Sequence, residues 1–174
     1  DRVGRFVALD IDRGVALLRQ SDLGIERLFT APSSYDLFSP TLSLDGTRLF
    51  ATKAQQVSPY SRSIVSYNTA TGEQEANSAS NLSGPKLSAD ASVLYAVPNA
   101  FEVEALSPAS LKPIEGLPTI RCPKQYCAGN LRPTADNSAL VGGSSGQLFV
   151  NSTASGGLLA TFPSRLGSDL RPGV

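Results

Sequence analysis

Apolar residues along this chain fall in short runs, and polar turn residues punctuate them. Arg5–Asp10, Gly14–Leu18, Arg48–Ala51, Ile64–Tyr67, Val93–Val97, Gln147–Val150 and Leu158–Phe162 each hold an alternating or continuous apolar stretch bounded by Gly, Pro, Asp, Asn or Ser. Runs of this length and punctuation predict many short β-strands. No segment sustains a 3.6-residue apolar period beyond about two turns, so long helices are not expected.

Comparing the chain with itself brings out a repeat. Residues 40–51 read PTLSLDGTRLFA, residues 85–96 read PKLSADASVLYA and residues 131–142 read LRPTADNSALVG. Each has a short strand, an Asp, a small turn pair and a second apolar strand. The aspartates Asp45, Asp90 and Asp136 lie 45 and 46 residues apart, and Asp1 lies 44 residues before Asp45. A fourth copy is split between the ends: DRVGRFVA at residues 1–8 supplies its second half and LRPGV at 170–174 its first. A period of about 45 residues with four strands per unit is the signature of a β-propeller blade. The expected fold is all-β, a single propeller domain over residues 1–174. Its blades are 1–39 plus 170–174, 40–84, 85–130 and 131–169, and strand 170–174 pairs beside strand 3–10 to close the ring. The alternative is part of a larger propeller. Third strands are expected at 14–20, 62–68, 100–106 and 146–152, and fourth strands at 25–31, 73–79, 112–118 and 158–163.

The unit P-x-L-S-x-D-G-T-x-L-[FY]-A, followed by Val65-Ser66-Tyr67-Asn68-Thr69-Ala70-Thr71-Gly72, resembles the bacterial YVTN/YncE-like propeller repeat. The resemblance covers residues 40–106 well and 131–163 weakly. It implies a propeller, usually of about seven blades, in a group that includes surface-layer proteins, binding scaffolds and some lactonases. It therefore implies a fold more sharply than a function.

Composition narrows the chemistry. Lys+Arg and Asp+Glu are 15 each in 174 residues, and His, Met and Trp are absent. Zero net charge argues against a general nucleic-acid binder. No apolar run is long enough for a membrane-spanning helix. Without His, Ser-His-Asp and Cys-His catalysis and most zinc or copper sites are excluded. The chain opens at Asp1 with no leader pattern, which reads as a mature or trimmed product. No cofactor is expected, and the balance leans away from an enzyme.

The recurrent Asp45, Asp90 and Asp136 are read as structural, each holding a tight turn through backbone N–H groups. Cys122 and Cys127, in RCPKQYC, have neither the spacing of a redox pair nor partners for a zinc site. They are expected to form a disulfide, and hence to indicate an extracellular, cell-surface or periplasmic location. Asn81 and Asn151 head glycosylation-type triplets. Asp10 and Asp12, with Glu73, are the candidates for an all-oxygen metal site. Four residues before each turn Asp stand Thr41, Lys86, Arg132 and Arg171. Three basic side chains converging at one mouth of a channel would attract a carboxylate or phosphate. The longest loops, 53–62 and 120–131, carry Tyr60 and Tyr126, expected on the same face as the basic cluster and suited to an interface. Lys86, Arg132, Arg171, Tyr60 and Tyr126 are thus the candidate ligand-binding residues. The expected function is a non-catalytic recognition or assembly module of a secreted or surface protein, taking a protein, glycan or anionic ligand, with homo-oligomer formation as a further way to complete the ring. The alternatives are a fragment of a propeller enzyme, such as a lactonase-like hydrolase, and a structural spacer.

Overall fold

The structure, a computed structural model, describes residues 4–79, 81–122, 131–144 and 147–163. All of its regular elements are strands. β1 (Phe6–Ile11), β2 (Gly14–Arg19) and β3 (Ile25–Thr30) form a first sheet. β4 (Tyr35–Leu42), β5 (Arg48–Gln55), β6 (Arg62–Asn68) and β7 (Gln74–Asn77) form a second. β8 (Ser83–Leu87), β9 (Leu94–Asn99), β10 (Glu102–Leu106) and β11 (Ile120–Arg121) form a third. β12 (Arg132–Pro133), β13 (Ala139–Ser144), β14 (Gln147–Ser152) and β15 (Leu158–Pro163) form a fourth. Every sheet is an antiparallel meander in chain order. Among the described residues the first sheet has three strands and no hydrogen-bonded strand pair joins it to the fourth. The strand expected at 170–174 lies outside the described residues. β4 begins at Tyr35, five residues ahead of the unit start placed at Pro40.

The sheets stack in chain order through three apolar seams. Val15, Leu17 and Phe29 meet Leu37, Leu49, Val65 and Tyr67 between the first and second sheets. Phe50 and Ile64 meet Leu82, Leu94, Leu106 and Leu111 between the second and third. Tyr95, Val103 and Ile120 meet Leu131, Leu140 and Phe149 between the third and fourth. The period-2 alternation of a strand explains how one sheet serves two seams. Four residues after each turn Asp, Leu49, Leu94 and Leu140 face the preceding sheet. One residue later, Phe50 and Tyr95 face the following sheet. Phe6, five residues after Asp1, likewise packs toward the second sheet.

One departure from the expected strands has a local cause. Residues 112–118 do not form the third sheet's outer strand. Pro113 makes a single bridge to Leu106, and the outer strand is the short β11 instead. Pro113 and Pro118 lack the N–H a ladder requires. The inner β12 ends at Pro133, the register position at which β4 ends at Leu42 and β8 at Leu87.

The hairpins joining the third and fourth strands fall at the turn-rich links 21–24, 69–72, 107–110 and 153–157 expected from the sequence, and they share a backbone conformation the residue types do not show. The amides of Leu23, Gly72, Leu111 and Gly156 donate to the carbonyls of Arg19, Asn68, Ser107 and Ser152, at 2.8 to 3.0 Å. All four donors are left-handed, with φ of 55°, 80°, 56° and 71°. Glycine adopts that conformation freely and leucine does not. The chain fills two of these four equivalent positions with Leu.

Candidate functional site

Each turn Asp is the hub of the same small network. Asp45 Oδ1 accepts from Ser43 Oγ at 2.6 Å, Thr47 N at 3.1 Å and Thr47 Oγ1 at 2.9 Å. Asp90 Oδ1 accepts from Ser88 Oγ, Ser92 N and Ser92 Oγ at 2.7, 3.0 and 2.8 Å. Asp136 Oδ1 accepts from Thr134 Oγ1, Ser138 N and Ser138 Oγ at 2.6, 3.1 and 2.9 Å. Donation from the preceding hydroxyl, then from the backbone amide, draws all three carboxyls down to a pKa of about 2. The residue after each Asp is left-handed in all three turns: Gly46, Ala91 and Asn137.

The inner strands leading to these turns carry the basic positions. β4 and β8 each break register just before them, between Phe38 and Thr41 and between Ser83 and Lys86. Pro40 and Pro85 sit inside these irregularities, where a missing N–H costs no ladder bond, and the residues before them, Ser39 and Gly84, have φ of 53° and 61°. The bulge sets Thr41 opposite Phe50 and Lys86 opposite Tyr95, and Arg132 stands opposite Val141. The three positions are therefore equivalent, each on the face turned to the following sheet. Thr41 Oγ1 uses that orientation to donate to the Pro85 carbonyl at 2.7 Å, joining the inner strands of the second and third sheets.

Lys86 is half-buried on the same face of the third sheet. Burial pushes its pKa below the ordinary lysine value, the Arg132 guanidinium lowers it further, and the Asp10 carboxylate opposes both. Lys86, Arg132 and Asp10 thus share one electrostatic neighbourhood built from the third, fourth and first sheets. Neither Lys86 nor Arg132 makes an ion pair among the described residues; Arg132 donates to the adjacent Leu131 carbonyl at 2.9 Å. The sequence marks Asp10 only as a metal candidate. Its link to Lys86 carries no sequence signal, because the two belong to sheets that are not consecutive.

The remaining candidates fall elsewhere. Thr41 and Lys86 stand near the ends of β4 and β8, toward the Asp turns. Tyr60 lies in the β5–β6 connection at the other end of the second sheet, 79% exposed. Phe50 to Gln55 along β5 separates those ends by about 17 Å. Tyr60 and the basic positions do not share a face, correcting the expectation of one loop-rich binding mouth. Strand polarity is the reason: the basic positions precede the first hairpin of a sheet, whereas Tyr60 follows its second strand. Near Tyr60's end, the Lys53 ammonium lies 4.6 Å from the Tyr35 ring centroid. Arg171, Tyr126 and Cys127 lie outside the described residues; Cys122 is buried in the seam between the third and fourth sheets. Asp10, Asp12 and Glu73 are not assembled, since among the described residues no three His, Cys, Asp or Glu side chains group as metal ligands. No helix among the described residues is long and apolar enough to cross a membrane.

No protein-family model matches the chain, and no curated protein matches it. Solved structures do. The chain is similar to the Cps50 (Swd1) β-propeller domain of Myceliophteria thermophila, at a TM-score of 0.63 and 16% identity, over 94% of this chain and 53% of that one. It is also similar to hydrazine synthase of Kuenenia stuttgartiensis, at a TM-score of 0.68 and 13% identity, over 92% of this chain and 46% of that one. The chain therefore spans about half the length of these structures. At such identities the likeness carries the fold alone: the chain has a β-propeller fold, and its relation to the YVTN/YncE-like repeat stays a resemblance.

Proposed function

We propose that this chain is a non-catalytic recognition or assembly module, and that its inner strands take an anionic group of a protein partner between Lys86 and Arg132. The observation that carries this reading is that pair: two cations in mutual repulsion, one half-buried, and neither in an ion pair among the described residues. A carboxylate entering between them would gain charge-assisted hydrogen bonds and relieve the repulsion. Membership of a larger ring is favoured over closure of four blades on themselves, because the chain spans about half of its structural neighbours. A secreted or surface setting, with Cys122 bonded to Cys127, belongs to the same proposal. Cys122 already sits in a tight seam, where a cross-link would secure the 120–131 loop.

The test is calorimetric titration with a glutamate-rich peptide at low and moderate salt. We expect binding that weakens with salt and falls about 10- to 100-fold for each of Lys86→Ala and Arg132→Ala, since a charge-assisted contact contributes about 1.5–3 kcal/mol. Tyr60→Ala leaves it unchanged. Equal binding by wild type and the double variant removes the site.

A further inference from the structure

Among the described residues the two end sheets each leave one face unpartnered, and both faces carry apolar rows. On the first sheet, cross-strand neighbours Leu9, Ala16 and Leu28 make one row, with Val7 and Leu18 beside it. Leu28 is 53% exposed, and Leu9 and Ile11 are exposed with it. On the fourth sheet, Val141, Val150 and Ala160 make one row, and Leu148 and Phe162 another. Phe162 is 52% exposed, with Leu148 also exposed. Apolar rows of this kind on a sheet face are buried in every seam inside the chain.

The repeat makes these two faces complementary. Phe6, Phe50 and Tyr95, five residues after their turn Asp, each insert into the sheet that follows. Val141 holds the same position in the fourth sheet, on the free face. The first sheet's free face is, by the same register, the one that receives a preceding sheet. The two faces are therefore the two sides of one seam type, already used three times. A heterologous contact of this kind either propagates or closes. A β-propeller domain of which this chain covers 53% fits a ring of about two chain lengths.

We propose that two copies of this chain close head to tail into one ring of eight sheets, the fourth sheet of each copy packing on the first sheet of the other. This rests on the larger-ring reading above. It also turns Arg132, which shares the free face with Val141, toward the partner's first sheet.

Light-scattering mass measurement on the purified chain tests it. The expected mass is twice the 18.2 kDa of one chain. Leu28→Lys and Phe162→Glu alter exposed positions on opposite faces. Each alone should give a monomer that keeps its strand circular dichroism. Mixed together, they should recover a heterodimer, because one of its two seams is wild type and the other pairs opposite charges. Wild-type monomer, open ladders of rising mass, or a dimer that survives Leu28→Lys through fourth-sheet self-pairing would each overturn the two-copy ring. A monomer that still binds the glutamate peptide would sink this inference and leave the proposed function standing.

Discussion

Leu23 and Leu111 offer a matched test of the hairpin repeat. They hold the same left-handed position, at φ of 55° and 56°, in the first and third sheets. Their side chains differ completely: Leu23 is 65% exposed, whereas Leu111 is 1% exposed and packs with Phe50, Leu94 and Leu106. A left-handed L-residue costs about 1–2 kcal/mol. Introducing glycine returns about 0.4–1 kcal/mol of that through the freer unfolded chain. Leu23→Gly should therefore stabilise by about 0.5–1 kcal/mol and raise Tm by about 1–4 °C at this chain length. Leu23→Ala keeps the unfavourable φ and loses little packing, so it should stay within about 0.5 kcal/mol of wild type. Leu111→Gly gains the same backbone relief but removes a buried leucine, a loss of about 2–5 kcal/mol, and should be net destabilising by about 1–4 kcal/mol. Urea unfolding midpoints at constant m-value measure all three. Leu23→Gly no more stable than Leu23→Ala, or Leu111→Gly as stable as wild type, would refute the assignment of strain and packing.

The remaining predictions concern charge and the seams. Asp45, Asp90 and Asp136 titrate at about 2 when folded, against an ordinary aspartate value of 3.8 for the unfolded chain. The folded chain thus binds fewer protons, and stability present above about pH 4 should drain away as pH falls from 3.8 toward 2; acid titration of the triple Asn variant should show a shallower loss. Lys86 has the opposite setting. Its folded pKa lies below 10.5 through burial, then Arg132, so at this residue the unfolded state binds more protons and its contribution to stability should rise as pH climbs toward 10.5; buried Tyr67 and Tyr95, raised above 10.0, pull the other way, so the difference between wild type and Lys86→Gln in alkaline melts measures it. Thr41→Val removes the hydroxyl bond to the Pro85 carbonyl and should lower the unfolding free energy by about 0.5–1.5 kcal/mol. Asn137→Ala strips the acceptor from the Ala89 amide, a 2.7 Å bond across the third seam, and should cost about 1–3 kcal/mol and speed exchange of that amide.

Most of the architecture is legible in the sequence because each unit repeats its burial pattern. Leu49, Leu94 and Leu140 stand at one spacing from Asp45, Asp90 and Asp136, and a spacing can be read without coordinates. The third strands and the fourth strands at 25–31, 73–79 and 158–163 follow from the same alignment. Elements whose identity depends on a missing donor are harder: Pro113 and Pro118 displace an outer strand that apolar pattern alone places at 112–118. The sequence locates the hairpin links but not their shared left-handed position, because Leu23 and Leu111 conceal a backbone requirement that Gly72 and Gly156 display openly. In the candidate site, Lys86 and Arg132 are legible as equivalent positions. Their link to Asp10 is not, since it depends on how separate sheets sit around one another. The expectation for Tyr60 fails for a similar reason: loop length marks an interface candidate but says nothing of strand polarity, which sets the end of the sheet where that loop falls.

Where the repeat is silent, the chain is free to vary. The positions of the turn Asp and of the leucine four residues later are fixed by local hydrogen bonds and by packing on the preceding sheet. The position four residues before the Asp answers to neither demand. It sits on an inner strand, after a bulge in β4 and β8, and the chain places Thr, Lys and Arg there in turn. Thr41 spends its hydroxyl on a neighbouring strand, so that seam is closed by a neutral bond. In the next seam the equivalent residue is Lys86, whose charge is opposed by burial and then by Arg132, with the Asp10 carboxylate a smaller influence in the opposite direction, and which makes no ion pair among the described residues. A change from Thr to Lys at that position is therefore unfavourable for the isolated fold, and the unfavourable charge is located where an incoming carboxylate would reverse its sign. On this reasoning Lys86→Thr should raise the stability of the unliganded protein and weaken peptide binding together. A variant that lost binding while also losing stability would show that Lys86 serves the seam itself.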